Sequence, residues 1–241
     1  MTKEQVLYRA ELAEKAYSEA KDINFRSLGL DLVKWIEHKK SDTQGFIAID
    51  SNDVVYLVWR GSSSKKDFQN DASVQKFPFI ETGEKIHIGF KSSWEAVRDI
   101  VYKTLMGLDR IESIVICGHS LGGAVATLSA YAIHKELKID KIECCTIGSP
   151  RVGNKKFKEN YNLTPIKTLR IVHHNDVVTR SPKFGYHHVN NELRIDDDGN
   201  VIVPKYNLER ILKFIKSIIT LNTVKDHMTD KYLAAIKKWN P

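Results

Sequence analysis

Ser120 is the residue whose surroundings most directly indicate chemistry, because it lies in the run Gly118-His119-Ser120-Leu121-Gly122. A serine hydroxyl is a weak nucleophile at neutral pH. It needs a histidine that removes its proton, and that histidine needs a carboxylate that fixes its tautomer. The run therefore directs the search to an acid and a histidine elsewhere in the chain.

The segments on either side of this run identify its structural setting. An apolar stretch, residues 114–117, precedes it, and an alanine-rich stretch of helical character follows it. A buried strand, then Gly-x-Ser-x-Gly, then a helix is the nucleophile elbow of the α/β-hydrolase fold. Side chains at Gly118 and Gly122 would collide with the neighbouring backbone. The helix that follows Ser120 directs free N–H groups at the place where an oxyanion would form.

Chain order selects the partners of the serine, because in this fold the acid and then the histidine follow the nucleophile. Asp176 comes just after the predicted strand 169–172, at a sheet edge. His227 comes after the last predicted strand, at the start of the predicted helix 227–239. The sequence therefore predicts a triad of Ser120, Asp176 and His227.

Each of these residues also has a purely structural interpretation. Ser120 could be a turn residue, Asp176 a turn residue or helix cap, and His227 a helix residue without a partner. Acidic residues 196–198 lie in a predicted hairpin turn, where carboxylates are usually turn formers. We interpret His87, His187 and His188 as packing or hydrogen-bonding groups. We interpret His119, inside the elbow, as a residue that braces the turn.

Length and composition are those of a single globular domain, residues 1–241, with 42% hydrophobic and 28% charged residues. No apolar run approaches the roughly 18 residues of a membrane-spanning helix. The net charge of +7 comes from scattered lysines, which favours solvated faces, with weak attraction to a membrane surface as the alternative. No nucleic-acid-binding signature is present, so we expect no nucleic-acid partner.

The cysteines and the amino terminus bear on the compartment. The three cysteines, Cys117, Cys144 and Cys145, all lie in predicted buried strands, and their odd number argues against a disulfide framework. The first residues are charged and amphipathic and lack a signal-peptide core. We therefore expect an intracellular, cytoplasmic protein.

Strands and helices alternate through the middle of the chain, which predicts an α/β fold with a mainly parallel sheet and helices on both faces. Residues 25–36 continue the apolar pattern irregularly. The predicted strands are 45–50 and 54–59, which form a hairpin, followed by 114–117, 142–147, 169–172, 188–195 and 201–203. The predicted helices are 4–20, 94–105, the alanine-rich helix after Ser120, a short one near Phe157, 208–221 and 227–239.

Several short motifs between residues 59 and 233 occur in one characteristic order. They are Trp59-Arg60-Gly61-Ser62 with Asp71, His87-Ile88-Gly89-Phe90, the elbow, Gly148-Ser149-Pro150-Arg151, Asn175-Asp176-Val177-Val178, and Asp226-His227-Met228 leading to Tyr232. With these motifs the chain resembles the class 3 (fungal-type) lipases of the α/β-hydrolase superfamily.

The resemblance implies a role for each matching residue. Ser120 would be the nucleophile, Asp176 the orienting acid and His227 the base. Ser62 and the backbone N–H of Leu121 would form the oxyanion hole. The reaction would be a two-step acyl transfer through an acyl-serine, with no metal and no organic cofactor.

The resemblance also implies a short lid after the Arg-Gly-Ser motif, in residues 65–79. Phe68, Phe77 and Phe79 in this polar segment suit a flap that covers an apolar site. The alternative is an ordinary surface loop with a few packed aromatic residues.

We therefore expect a carboxylic-ester hydrolase of the triacylglycerol lipase or esterase type. Its substrate would be an acylglycerol or a similar lipid ester, with transient contact to a membrane or lipid-droplet surface. Phospholipase A1 activity is the alternative within the enzymes, and a non-catalytic lipase-like scaffold that signals or binds is the alternative outside them. Phe68, where a tryptophan is common, and the predicted helix 208–221 leave the preference for triglycerides open.

Overall fold

Seven strands form the central sheet in the computed structural model, which describes residues 1–62, 75–202 and 225–241. These strands are β1 (Asp31–His38), β2 (Thr43–Ile49), β3 (Val54–Trp59), β6 (Ser113–His119), β7 (Ile142–Ile147), β8 (Lys167–His173) and β9 (Glu192–Ile195). Their order across the sheet is β1-β2-β3-β6-β7-β8-β9. Two short strands, β4 (Lys76–Pro78) and β5 (Lys85–His87), form a separate antiparallel pair.

The direction of the strands places the loops that follow them at one edge. The first three strands are antiparallel neighbours, as the predicted hairpin requires, and β3, β6, β7, β8 and β9 are parallel in succession. Trp59, the last residue of β3, is the register partner of Gly118, the last but one residue of β6. Because parallel strands end at the same edge, the segments after β3, β6, β7 and β8 meet there.

Helices cover both faces of this sheet. They are α1 (Lys3–Lys15), α2 (Ile88–Met106), α3 (Leu121–Leu137), α4 (Lys155–Asn162) and α5 (Thr229–Lys238). Residues of α2 and α3 pack in one buried cluster with Leu57 and Ile116. Residues of α1 and α5 pack in a second cluster with Val58 and Cys117. Adjacent strand residues point to opposite faces, so the two clusters lie on the two sides of the sheet.

The helix termini explain where two of the helices begin. Thr2 and Gln5 form a reciprocal capping box at the start of α1. The Nδ1 atom of His87 accepts a hydrogen bond from the Gly89 N–H at the start of α2. The buried His87 of the sequence motif therefore caps a helix, in agreement with its interpretation as a hydrogen-bonding group.

Several predicted bounds differ from the structure. The first helix ends at Lys15, before Tyr17. β1 was not predicted as a strand, because a register irregularity between Leu32 and Lys34 breaks its alternation. The strand predicted from His188 begins only at Glu192.

Part of the predicted lid and one predicted helix fall outside the described residues. Phe68, Asp71 and the predicted helix 208–221 all lie there. The end of the predicted lid is described: β4 pairs with β5, and Phe79 packs against the rings of Tyr131 and Phe157. In the described ranges, no helix combines the length and the apolar character needed to cross a bilayer.

Candidate active site

The turn between β6 and α3 holds Ser120 in an unusual backbone conformation. Ser120 has φ 59° and ψ −126°, a region that non-glycine residues rarely adopt. Its N–H donates to the carbonyl of Ile147 at the end of β7. The serine therefore stands at the sheet edge where the parallel strands end, as the elbow motif predicts.

The glycines of the elbow are required by close contacts with backbone. A Cβ atom on Gly118 would lie 2.3 Å from the carbonyl oxygen of Gly122, and a Cβ atom on Gly122 would lie 2.3 Å from that of Trp59. Real Cβ atoms do not approach other atoms so closely. The end of β3, the end of β6 and the start of α3 can pack together only because these two side chains are absent.

The structure brings the three predicted triad residues into one hydrogen-bonded chain. Nε2 of His227 lies 2.8 Å from Oγ of Ser120, and Nδ1 of His227 lies 2.8 Å from Oδ2 of Asp176. Since a carboxylate only accepts, Nδ1 carries the proton and Nε2 is free to accept the serine hydroxyl proton. This tautomer is the one that a general base needs.

Asp176 is fully buried and receives two further hydrogen bonds. The Val178 N–H donates to Oδ1 at 2.9 Å, and the hydroxyl of Tyr232 donates to Oδ2 at 2.6 Å. Burial and the neighbouring Asp176 charge raise the pKa of Tyr232 well above its usual value, so its hydroxyl remains a donor. The carboxylate is thus held by three donors, counting His227.

His119 links the elbow to the segment that carries His227. Its Nε2 lies 2.7 Å from the main-chain carbonyl oxygen of His227, and its Nδ1 lies 2.7 Å from the hydroxyl of Tyr17. A carbonyl only accepts, so Nε2 donates and Nδ1 accepts from Tyr17. Burial and the nearby His227 lower the pKa of His119 to about 3, and the ring is therefore neutral near pH 7.

Ser62 and Leu121 lie on one cavity of about 430 Å³, whose other lining residues include Phe90, Pro150 and Pro182. Leu121 is the first residue of α3, and the first N–H groups of a helix have no partner within it. Gly61, which precedes Ser62, packs closely on the elbow: a Cβ atom on it would lie 3.0 Å from the Cβ atom of Ser120. The structure thus places both residues beside the serine.

Two residues that contact this site have no role predicted from the sequence. Tyr232 appeared only as the end of a motif, although its spacing after His227 places it on the first turns of α5, under the acid. Tyr17 reaches His119 from the segment after α1, and no local pattern in the sequence marks it. In the described part of the chain, no group of three or more His, Cys, Asp or Glu residues is arranged to hold a metal ion.

The mainly parallel sheet, the elbow and the chain order of the three residues are those of an α/β-hydrolase fold. A lipase from Rhizopus microsporus var. chinensis has a similar structure, with a TM-score of 0.73 and 28% identity over 80% of this chain and 74% of that one. The family profile described as Lipase (class 3) matches residues 56–186. This chain belongs to the class 3 lipase family.

Two relatives show how the family members are named. A secreted mono- and diacylglycerol lipase A from Penicillium cyclopium is 35% identical over 71% of this chain, and the match spans 58% of that relative. A chloroplastic phospholipase A1-Igamma1 from Arabidopsis thaliana is 28% identical over 60% of this chain and 36% of that relative. The chain thus spans little more than half the length of the first and about a third of the second.

The expectation of an intracellular, cytoplasmic protein is wrong, because the Penicillium relative is named as secreted. The three cysteines are core residues, and their odd number therefore says nothing about the cellular compartment. Cys117 and Cys145 are register partners inside the sheet, and Cys144 lies on its other face. Burial raises the pKa of the Cys145 thiol to about 11 and that of Cys144 to about 12. All three serve as small core residues, and their number does not report a compartment.

Proposed function

We propose that this protein hydrolyses carboxylic esters of acylglycerols or related lipids through an acyl-serine intermediate. The observation that carries the proposal is the hydrogen-bonded chain from Ser120 Oγ through both ring nitrogens of His227 to Asp176, with 2.8 Å at each step. A non-catalytic scaffold has no need of this alignment, which favours the enzyme over the scaffold.

The first half of the reaction transfers the acyl group to the enzyme. Ser120 Oγ attacks the ester carbonyl carbon while its proton moves to Nε2 of His227. Asp176 stabilises the imidazolium through the hydrogen bond to Nδ1. The tetrahedral intermediate collapses when Nε2 returns the proton to the leaving alkoxide, which departs as the alcohol.

Water completes the reaction by the same route. It loses a proton to Nε2 of His227 and attacks the acyl-serine carbon. The second tetrahedral intermediate collapses when Nε2 returns the proton to Ser120 Oγ, which breaks the bond to the acyl group and releases the fatty acid. In both steps the oxyanion would accept hydrogen bonds from the Leu121 N–H and the Ser62 hydroxyl. Loss of one such donor typically lowers turnover on the order of 100- to 1000-fold.

The names of two relatives support the proposed substrate class. The Penicillium relative is named for mono- and diacylglycerols, so neutral acylglycerols are the first candidates. The Arabidopsis relative is named as a phospholipase A1, which makes phospholipid the second. We propose that the protein acts outside the cell, by likeness to the relative named as secreted, and that it meets its substrate by transient contact with a lipid surface.

The test is acid release from emulsions of a medium-chain diacylglycerol and of phosphatidylcholine, measured by titration at constant pH. We expect acid release from at least one emulsion. Faster release from the diacylglycerol would indicate a lipase, and faster release from phosphatidylcholine would indicate a phospholipase. The matched control is Ser129→Ala, which changes a buried serine of α3 that bonds Trp59. The proposal fails if folded protein releases no acid from either emulsion, or if Ser120→Ala releases it at the unaltered rate.

A further inference from the structure

A second cavity, of about 650 Å³, adjoins the cleft lined by Ser62 and Leu121. Pro150 and Pro182 line the cleft, and the residues that follow them in the chain, Arg151 and Lys183, line the second cavity. The two spaces therefore share a wall. We call the second one the basic cavity.

The name reflects its charges. None of the described residues that line it is acidic. Four cationic side chains and two histidines line it: Arg151, Lys158, Arg170, Lys183, His187 and His188. The carboxylate of Glu192 pairs with the lining residue Arg170 at 3.1 Å and also with Arg194 at 2.8 Å. No salt bridge between described residues involves Arg151, Lys158 or Lys183. The local charge is therefore strongly positive.

The pKa values of the two histidines are lowered in part by this positive charge. Burial, and then Lys158 and Arg151, lower the pKa of His187. Burial, and then Arg170, lower the pKa of His188 to about 3. The neighbouring charges that affect His187 most are all cationic. Nearby cations disfavour a further positive charge, and the same potential attracts an anion.

Two arginines are fixed in place around the cavity. Arg170 is only 7% exposed; its Nε donates to the carbonyls of Val189 and Asn190, and its Nη2 bonds Glu192. Its Nη1 is buried and has no hydrogen-bond partner among the described residues. Buried donors are normally paired. Arg151 is held by hydrogen bonds from Nη1 to the carbonyls of Pro182 and Lys183.

We propose that the basic cavity binds a phosphate group. Fixed guanidinium groups with lysines beside them match the charge and the several acceptor oxygens of a phosphate. The group arrives either as a free phosphate or as the head group of an anionic lipid, since the basic cavity borders the cleft lined by the proposed oxyanion-hole residues Ser62 and Leu121. The site is defined by its own residues and does not depend on ester hydrolysis.

The first experiment measures binding of inorganic phosphate to the full chain by titration calorimetry at low ionic strength. The variants Lys158→Glu and Lys183→Glu reverse one charge each, at a partly exposed and at an exposed side chain respectively. Neither lysine side chain takes part in the hydrogen bonds that hold Arg151 and Arg170. The matched control is Lys34→Glu, an exposed lysine of β1 at the opposite edge of the sheet. We expect each cavity variant to raise the Kd about tenfold, the effect of losing one charge-assisted contact, and the control to change it less than about twofold.

The second experiment identifies the source of the phosphate. Ser120→Ala protein, which keeps lipid intact, is sedimented with phosphatidylcholine vesicles that contain or lack phosphatidic acid. Retention that requires phosphatidic acid and is lost in Lys158→Glu, but not in Lys34→Glu, supports a lipid head group. Calorimetric binding of inorganic phosphate without such retention supports a free phosphate. The proposal is overturned if neither probe binds, or if the control variant weakens binding as much as the cavity variants do.

Discussion

Nε2 of His119 donates a hydrogen bond to the main-chain carbonyl oxygen of His227, 2.7 Å away. The residue beside the proposed nucleophile thereby holds the backbone of the proposed base. Tyr17, which bonds the other nitrogen of the His119 ring, extends this connection to the segment after α1. Elements distant in the sequence thus fix the position of the His227 ring.

Replacing His119 tests whether this connection positions the base. We expect His119→Phe to lower kcat about fivefold to tenfold with little change in KM, because one neutral hydrogen bond is worth roughly 1 kcal/mol. Tyr17→Phe removes only the outer bond and should have the smaller effect. The measurement is steady-state hydrolysis of a soluble p-nitrophenyl ester. A change confined to KM would contradict a positioning role.

Tyr232→Phe removes one donor from the buried carboxylate of Asp176 and keeps the ring. We expect a lower kcat and a loss of about 1.5–3 kcal/mol in the free energy of unfolding, the usual contribution of a hydrogen bond to a charged group. Urea unfolding and ester hydrolysis check the two effects. The matched control is Tyr161→Phe, whose hydroxyl lies 2.9 Å from Thr168 and away from the triad. The assignment is wrong if both variants leave kcat unchanged.

Folding stability should fall as the pH is lowered below neutrality. The pKa values of His119 and His188 are both lowered to about 3, so the unfolded chain takes up protons near pH 6.5 that the folded protein does not. The unfolded state then binds more protons, and each histidine should remove about 1 kcal/mol of stability between about pH 7 and pH 5.5. Urea unfolding across this range measures the slope, which should be shallower in His119→Phe. An equal slope in that variant would contradict the prediction for His119.

The elbow should not tolerate a side chain at Gly122. In Gly122→Ala the new methyl group would lie 2.3 Å from the Trp59 carbonyl oxygen and 2.6 Å from that of Arg60. We expect a loss of about 1–3 kcal/mol or more in the free energy of unfolding, as for other overpacked sites. Thermal unfolding compares it with Gly107→Ala, where the nearest atom is 3.3 Å away at the end of α2. Equal unfolding temperatures of the two variants would show that the elbow can relax.

Much of the sheet follows from local sequence patterns. The buried strands β3, β6 and β7 are rich in apolar residues, and the structure has them within a few residues of their predicted bounds. β1 could not be predicted because it is an edge strand with a register irregularity and only one buried residue. The strand predicted at 188–195 was too long, since His188 instead directs Nε2 to the Thr179 carbonyl.

The three triad residues could also be predicted from the sequence. Motif order selects Ser120, Asp176 and His227, because chain order in this fold determines which loops meet at the sheet edge. Tyr17 could not be found in this way, since its contact depends on how α1 ends and packs against the elbow. The basic cavity was also missed, because its cations come from separate segments that are unremarkable in sequence.

The proposed reaction requires that Ser120 is the acyl-accepting nucleophile and that His227 activates it. The most direct test is labelling with a serine-directed fluorophosphonate, with the adduct located by peptide mass spectrometry and ester hydrolysis measured in the same sample. We predict one adduct on Ser120, loss of hydrolysis in proportion to labelling, and no adduct in Ser120→Ala. Labelling at another serine, or full hydrolysis by protein labelled at Ser120, would rule out Ser120 as the nucleophile.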